Sequence, residues 1–207
     1  MSWLVELLSE ADWGEFEAER KALQQWEHYP IFLEALQNLN REALFQSHIH
    51  GDGHIERVML HGAILAMRTR CDAADVALLL DACSYHDTGR VDDSVDHAHG
   101  QRSALKLGRL TGRNGQELKV LEAIVEAHSR WDGELDDVLQ QYRVADISRA
   151  RRLAFLLKDA DGLDRVRLSD LDVKYLRWAG SLEQAGFAEW LFQKTRDWET
   201  RNRHRFA

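Results

Sequence analysis

The strongest constraint on the fold is the scarcity of residues that interrupt helices. The chain has a single proline, Pro30, in 207 residues. Leu, Ala, Glu, Arg and Gln dominate its segments, and all of them favour helices. Runs rich in Val, Ile and Thr, which are typical of strands, are missing. The sequence therefore predicts an all-α fold.

The pattern of apolar residues and breaks divides the chain into helical segments. Residues 1–46 are predicted to hold two or three helices, broken near Gly14 and at Tyr29–Pro30, and a polar loop follows at Ser47–Gly53. Further helices are predicted over 54–70, 73–86, 99–111, 115–129, 147–161 and 168–205, the last with breaks at Gly180 and Gly186. We interpret residues 1–207 as a single all-α domain with a core at about 48–166 and flanking helices in 1–47 and 167–207.

Charge and composition exclude some classes of partner. A net charge of -8 argues against a general nucleic-acid binder, which needs a basic surface. It leaves room for a small phosphorylated substrate, because a bound metal supplies local positive charge. Cys71 and Cys83 are too far apart for a CxxC motif, and with no signal-like N-terminus they favour a cytoplasmic location. No apolar run approaches the ~20 residues that span a bilayer, so no membrane partner is expected.

Residues of metal-ligand type fall at the ends of apolar helical stripes. Leu121, Ile124, Val125 and His128 have the i, i+3, i+4, i+7 spacing of one helix face. Three other predicted helices carry such a residue in the same way, and the full set is His54, His86, Asp87, His99, His128 and Asp161. Polar groups on apolar faces are costly unless they are paired or ligated. A metal centre inside a helical bundle accounts for all of them.

The number and type of donors indicate which metals fit. Six donors are too many for one tetrahedral zinc ion. Two ions roughly 3.5–4 Å apart would use them all, a spacing that suits displacement at phosphorus. Imidazoles with carboxylates fit iron, manganese or zinc better than calcium, and magnesium, cobalt and nickel stay open. Adjacent helical residues face different ways, so His86 and Asp87 share a site only at a helix end or if Asp87 bridges two ions.

The ordered set of motifs resembles the HD-domain metal-dependent phosphohydrolase superfamily over about residues 48–166. The matching segments are His50–Val58, Tyr85–Arg90, His99–Ala104, Ala127–Ser129 and Lys158–Arg165. The resemblance implies an all-α bundle like that of the HD/PDEase proteins. It also implies hydrolysis of a phosphate ester, such as a nucleotide or a related metabolite, as a phosphohydrolase or phosphodiesterase using a metal-bound hydroxide.

The resemblance also implies roles for individual residues. The family's minimal ligand set carries over to His54, His86, Asp87 and Asp161. Members with two further histidines usually hold two ions bridged by the aspartate of the pair, and those histidines would be His99 and His128. The expected cofactor is therefore a divalent metal, as two ions. If they are not ligands, His99 or His128 would pass a proton to the leaving oxygen.

Two other activities stay open from the sequence. The segment His86–Arg90 is similar to that of HD-GYP cyclic-dinucleotide phosphodiesterases, with Arg90 at their lysine position. No Gly-Tyr-Pro follows, which argues against a cyclic-dinucleotide substrate. Some HD-domain proteins use the six-ligand pattern for a di-iron centre that activates oxygen, so an oxygenase is one alternative. A non-catalytic nucleotide-sensing domain is the other.

Several assignments have competing interpretations. The motif favours His99 as a ligand, whereas periodicity favours His97, and we choose His99. Arg90 and Arg57 are candidate phosphate contacts because guanidinium offers forked donors. The alternative is a salt bridge to a carboxylate of the site, equally favoured for Arg90 and preferred for Arg57. The predicted catalytic residues are Asp87, His99, His128 and Arg90.

Other polar and aromatic residues near the motifs receive supporting roles. Asp164 is expected to orient a ligand histidine, and Asp159 to be no more than a charge on a helix face. Trp131 could stack on a nucleobase, but packing along its own loop is favoured. His50 would line the entrance or cap a helix, and His61 would be packed or water-linked. The tryptophan-rich ends are interpreted as packing the flanking helices or forming a homodimer contact.

Overall fold

The computed structural model describes residues 2–10 and 12–202, and over these residues it contains helices and no strand. The all-α fold predicted from the sequence is confirmed. Its α-helices are α1 Trp3–Ser9, α2 Glu17–Gln25, α3 Tyr29–Gln37, α4 Asp52–Arg68, α5 Ala73–Tyr85, α6 His99–Thr111, α7 Gly115–His128, α8 Leu135–Gln141, α9 Ile147–Leu163, α10 Ala179–Leu182 and α11 Ala185–Asn202.

Helices α4, α5, α7 and α9 form the centre of the bundle. Helix α4 packs against α5 and α9, α7 packs against α5 and α9, and α6 lies along α7. Two of these helices begin with an aspartate cap: Asp72 accepts a bond from the backbone N–H of Asp75 at 2.9 Å, and Asp146 from that of Arg149 at 2.9 Å. In the described part of the chain, no helix combines the length and the apolarity needed to cross a bilayer.

The bundle brings five helix ends to one place. Helices α5, α7 and α9 finish near Tyr85, His128 and Leu163, whereas α4 and α6 begin at Asp52 and His99. Glycine permits the close approach at one of these ends, because a side chain on Gly89 would collide with the carbonyl oxygen of His99. The candidate site therefore lies where three helices end and two begin.

The flanking segments pack onto the centre through buried aromatic and polar contacts. The backbone N–H of Leu4 in α1 donates to Glu56 Oε2 of α4 at 3.0 Å. Trp13, next to the first break, contacts Phe187 and Trp190 of α11 with ring centroids 6.0 and 5.4 Å apart. Packing of tryptophans within the chain agrees with one of the two sequence interpretations. The homodimer contact stays a prediction.

Two helix predictions were wrong. The segment 168–205 is not one helix with two breaks: it has 3₁₀ turns at Asp164–Leu168 and Val173–Tyr175 before α10 and α11, and residues 203–205 lie outside the described part. The buried carboxylate of Asp159 accepts the backbone N–H groups of Arg177 and Trp178, which diverts them from helical bonding. Helix α8, which follows the loop after α7, was missed.

Candidate metal centre

The structure brings the six predicted ligands together. His54 lies in the first turn of α4, and His86 and Asp87 directly follow α5. Three overlapping groups have candidate ligand atoms within 4.8 Å of one another. These groups are His54, His86 and Asp87; His86, His128 and Asp161; and Asp87, His99 and His128. The described residues thus include histidine and aspartate clusters that could hold metal ions.

The first half of the site is built around two imidazoles. The Nε2 atoms of His54 and His86 are 3.2 Å apart. Asp161 Oδ1 lies 3.5 Å from His54 Nε2 and 3.9 Å from His86 Nε2. Asp87 Oδ2 lies 3.6 and 3.9 Å from the same two nitrogens. Two nitrogens and two carboxylate oxygens therefore surround one position.

The second half is built around the other oxygen of Asp87. Asp87 Oδ1 lies 3.1 Å from His99 Nε2 and 3.7 Å from His128 Nε2, and these two nitrogens are 2.8 Å apart. This oxygen is buried and has no hydrogen bond of acceptable geometry within the described chain. Each oxygen of Asp87 thus faces a different pair of histidines, which is the arrangement of a bridging carboxylate.

The ring of His54 is fixed from behind. Its Nδ1 lies 2.7 Å from Asp164 Oδ2, and Asp164 is in turn held by Arg57, whose Nε and Nη2 lie 2.5 and 3.0 Å from its two oxygens. A carboxylate only accepts hydrogen bonds, so Nδ1 carries a proton, and in the neutral ring the lone pair of Nε2 points into the site. Asp164 orients a candidate ligand histidine as expected, and Arg57 forms the favoured salt bridge.

The other three histidines are oriented by backbone carbonyl oxygens. The Nδ1 atom of His86 donates to Cys83 O at 3.0 Å, that of His128 to Val125 O at 2.5 Å, and that of His99 to Asp96 O. A carbonyl oxygen cannot donate, so Nδ1 carries the proton of each neutral ring and the Nε2 lone pair points into the site.

The orientation of the rings provides a test of whether a metal fits. When the rings are neutral, lone pairs on nitrogens 3.2 and 2.8 Å apart repel each other, because the one proton of each ring is on Nδ1. A cation between the nitrogens removes this conflict. Imidazole nitrogens combined with carboxylate oxygens are donors that divalent transition metals prefer. The residues therefore fit a divalent metal.

The charge states also suit metal binding. Burial lowers the pKa of His86 to about 3, so its imidazole is neutral at neutral pH. Burial by itself would raise the pKa of Asp87 and of Asp161, but neighbouring histidines outweigh it. The pKa of Asp161 falls to about 2, and that of Asp87 falls well below its ordinary value. Neutral imidazoles and ionised carboxylates are the forms that ligate metals.

The structure separates the remaining alternatives. His97 is exposed and stands outside the cluster, whereas His99 is 6% exposed and inside it. Arg90 Nε lies 2.8 Å from Asp87 Oδ2, an ion pair with a candidate ligand carboxylate. That geometry matches the salt-bridge interpretation of Arg90, and its contact with phosphate stays a prediction.

Two supporting assignments need revision. Asp159 is not a surface charge: it is fully buried and also accepts from the Ser181 hydroxyl at 2.7 Å. Trp131 lies against Gly133 of its own loop, as favoured, yet 76% of its surface is exposed. Its exposure reflects a loop that projects from the bundle between α7 and α8.

The two other histidines near the site are both buried. His50 Nδ1 lies 2.8 Å from Asp93 Oδ1, and its ring meets that of His54 edge to face with centroids 5.9 Å apart. His61 packs edge to face on Phe187, and burial lowers its pKa to about 4. His61 is therefore a neutral, packed side chain, in line with the packing interpretation.

A cavity of about 470 Å³ adjoins the cluster and was missed by the sequence reasoning. It reaches His128 and Asp161 and is also lined by Lys158, Arg177 and Tyr175. One sequence signal could have identified Lys158 as part of the site: it lies about one helical turn before Asp161. Arg177 had none, because only the fold brings it there. A larger cavity of about 890 Å³ lies beside the start of α4, but none of the six candidate ligands lines it.

The helical bundle and its histidine–carboxylate cluster place the chain among all-α proteins with a candidate metal site. Comparison with known families assigns the class further: the HD domain family matches residues 51–166, more than half of the chain. The chain therefore belongs to the HD-domain family, whose members bind divalent metals and are generally hydrolases. No curated protein and no solved structure gave a significant match.

Proposed function

We propose that this protein is a metal-dependent phosphohydrolase that acts on a phosphate ester of a small metabolite, such as a nucleotide. The observation that carries the proposal is the position of Asp87, whose two oxygens face two separate pairs of inward-pointing imidazole nitrogens. Such an arrangement fits two neighbouring cations. Two cations at this short separation can stabilise both the attacking and the leaving oxygen at one phosphorus atom. Membership of the HD-domain family supports the hydrolytic class.

The ligands divide between two positions in this proposal. His54, His86, Asp161 and Asp87 Oδ2 would hold one ion, and His99, His128 and Asp87 Oδ1 the other. When bound, divalent ions lower the pKa of a coordinated water to about 7 and stabilise charge on phosphoryl oxygens. Manganese, iron, magnesium, zinc, cobalt and nickel are all compatible with these donors.

The chain's own residues prepare the site for that chemistry. Asp164 and Arg57 fix the ring of His54, so its Nε2 needs no reorientation when a ligand arrives. The guanidinium of Arg90, beside Asp87, places positive charge where phosphoryl oxygens would lie. His54, His86, Asp87 and His99 are buried, which keeps bulk water from that part of the site and strengthens each of these interactions.

The test begins with protein purified without chelator. Elemental analysis should find about two divalent ions per chain, and a panel of phosphate esters with added Mn²⁺ should reveal turnover. Dialysis against a chelator should abolish that turnover, and adding the metal back should restore it. A metal-loaded protein that hydrolyses no phosphate ester would contradict the proposal. Iron with oxygen uptake and no hydrolysis would instead support the oxygenase alternative.

The remaining expectations about the protein's setting are part of the same proposal. A small phosphorylated metabolite is the expected partner, in the cytoplasm, and the flanking helices are the expected homodimer contact. Sedimentation of the full chain over a range of concentrations tests the last of these. A monomer at all concentrations would remove the homodimer and leave the proposed chemistry untouched.

A further inference from the structure

Lys158 and Arg177 are two of the three cations that line the cavity beside the candidate metal centre, and the proposed mechanism uses neither of them. The lining of the cavity joins His128 and Asp161, which belong to the centre, to Lys158 and Arg177. Helical residues three apart share a face, so Lys158 projects on the same side of α9 as Asp161. A ligand that reaches the metal centre through this cavity meets both cations next to it.

Lys158 is buried but not fully satisfied. It is 5% exposed, and its Nζ donates to Arg130 O at 2.6 Å and to Asp132 Oδ1 at 2.7 Å. An ammonium group has three donors, so one N–H is left without an acceptor among the described residues. A buried lysine with a spare donor on a cavity wall is prepared to receive a further anionic oxygen.

Arg177 is held in the same way. Its Nε and Nη2 donate to the two oxygens of Asp132 at 2.8 and 2.9 Å, and its Nη1 donates to Asp159 and to the carbonyl of Tyr175. Guanidinium has five donors, so one remains on Nη2 within the described structure. The bidentate contact with Asp132 is the geometry in which arginine also binds phosphate.

Asp132 is the shared partner of both cations, and it sits on the loop that follows α7. Its side chain is 40% exposed, and it does not line the cavity. One carboxylate thus orders Lys158 and Arg177 from behind while their remaining donors stay available. The other arginine of the cavity, Arg165, forms a half-exposed pair with Asp170 and has no such arrangement.

We propose that Lys158 and Arg177 form a second anion subsite, and that the substrate carries a second negatively charged group close to the phosphate that is hydrolysed. This inference rests on the proposed function, since it assigns a substrate feature to the same site. A second phosphate or a carboxylate has the required chemistry. The negative charge of Asp132 lies next to the same two cations and so limits the affinity for a further anion.

The test compares two unreactive ligands on the metal-loaded full chain. Methylphosphonate carries one anionic group and methylenediphosphonate carries two, and calorimetry with saturating Mn²⁺ gives both dissociation constants. The wild-type protein should bind the diphosphonate at least about ten-fold more tightly. Lys158→Met should remove most of that preference and leave methylphosphonate binding within roughly two-fold.

A second variant should change the preference for the diphosphonate in the opposite direction. Asp132→Asn removes the negative charge next to the two cations, so it should increase the preference for the diphosphonate several-fold. A merely structural role of Asp132 would lower the affinity for both ligands together. Lys174→Met removes an exposed cation outside the cavity and should change neither constant.

The outcomes separate this inference from the proposed function. Equal preferences in wild type, Lys158→Met and Asp132→Asn would overturn the second subsite even if the protein hydrolyses p-nitrophenyl phosphate normally. A preference that follows the two variants as described, in a protein without phosphatase activity, would support the subsite and contradict the hydrolase. Metal content and melting temperature of each variant establish that the fold and the metal centre persist.

Discussion

Helices α5, α7 and α9 carry charged or metal-ligand side chains at both of their ends. At their beginnings lie Asp75, Glu117 and Arg149, and at their ends lie His86, His128 and Asp161. The same three helices therefore support two polar clusters, and the clusters differ in how their charges are balanced.

The cluster at the beginnings is closed by the chain itself. Asp75 is 1% exposed, and its oxygens are paired with Arg149, at 2.5 Å, and with Arg152. Arg149 also reaches Glu117 Oε1 at 2.6 Å. Each carboxylate has a guanidinium partner, so this cluster needs nothing from outside the protein.

In the cluster at the ends of the helices, the ligand-type nitrogen atoms of the histidines face one another. Four imidazoles turn their Nε2 atoms toward one another, and within the described chain Arg90 is the one arginine or lysine ion-paired with an aspartate among them. The comparison shows that a polar residue on an apolar helix face is not by itself a sign of metal binding. The two ends differ in the source of the positive charge that balances the carboxylates: arginines of the chain at one end, and a bound cation in our proposal at the other.

The largest effect is expected from Asp87, whose two oxygens face the two histidine pairs. Asp87→Ala should abolish metal binding at both positions and reduce phosphate-ester turnover by roughly a thousand-fold or more, because the bridging carboxylate is lost. Elemental analysis and steady-state kinetics measure the two effects, and far-UV circular dichroism should show that the helices persist. Normal turnover by this variant would make the metal mechanism wrong.

Removing the carboxylate of Asp75, at the beginnings of the helices, should lower stability and leave metal binding and turnover unchanged. Asp75→Ala leaves Arg149 and Arg152 without their buried partner, which should cost about 2–3 kcal/mol of unfolding free energy after allowing for their partial exposure. Thermal unfolding should show a fall of roughly 5–10 °C. Metal content and turnover at low temperature should stay at wild-type levels, and a loss of metal would break the distinction between the clusters.

A smaller effect is expected from the residue that orients His54. Asp164→Asn keeps a hydrogen-bond acceptor for His54 Nδ1 but removes the charge, so metal affinity should fall roughly ten- to a hundred-fold. Competition with a fluorescent chelator measures the change. Asp159→Asn is the matched control, since Asp159 is an equally buried aspartate that instead anchors the backbone of Arg177 and Trp178. It should lower stability without changing metal affinity.

Helical periodicity predicts the parts of the fold that depend on local sequence. The core helices α5, α6, α7 and α9 lie within two residues of their predicted bounds, because apolar stripes and caps such as Asp72 are local signals. The irregular stretch before α10 was not predictable in this way. It depends on Asp159, which is 18 and 19 positions away from the two N–H groups that it accepts.

In the candidate site, too, local sequence signals predict some features, and contacts between distant residues determine others. Residue types at motif spacing were sufficient to select the six side chains that the structure brings together, and their metal binding stays a proposal. Periodicity misled at His97 because α6 begins at His99, so the spacing of residues inside the helix does not fix its first turn. The contact between Asp132 and Arg177 joins residues 45 positions apart, and no local pattern indicates it.

The smallest effect is expected at His97. It is compared with His99, two residues further along the chain. The side chain of His97 is exposed, and its contact with the Ser129 hydroxyl uses the backbone oxygen, which alanine retains. His97→Ala should therefore change unfolding free energy by less than about 0.5 kcal/mol and leave metal content unchanged. His99→Ala, in contrast, removes one of the nitrogens facing Asp87 Oδ1 and should reduce the metal content from two ions to one. Equal metal loss in both variants would mean that the start of α6 differs from the structure, and that His97 shares in holding the second ion.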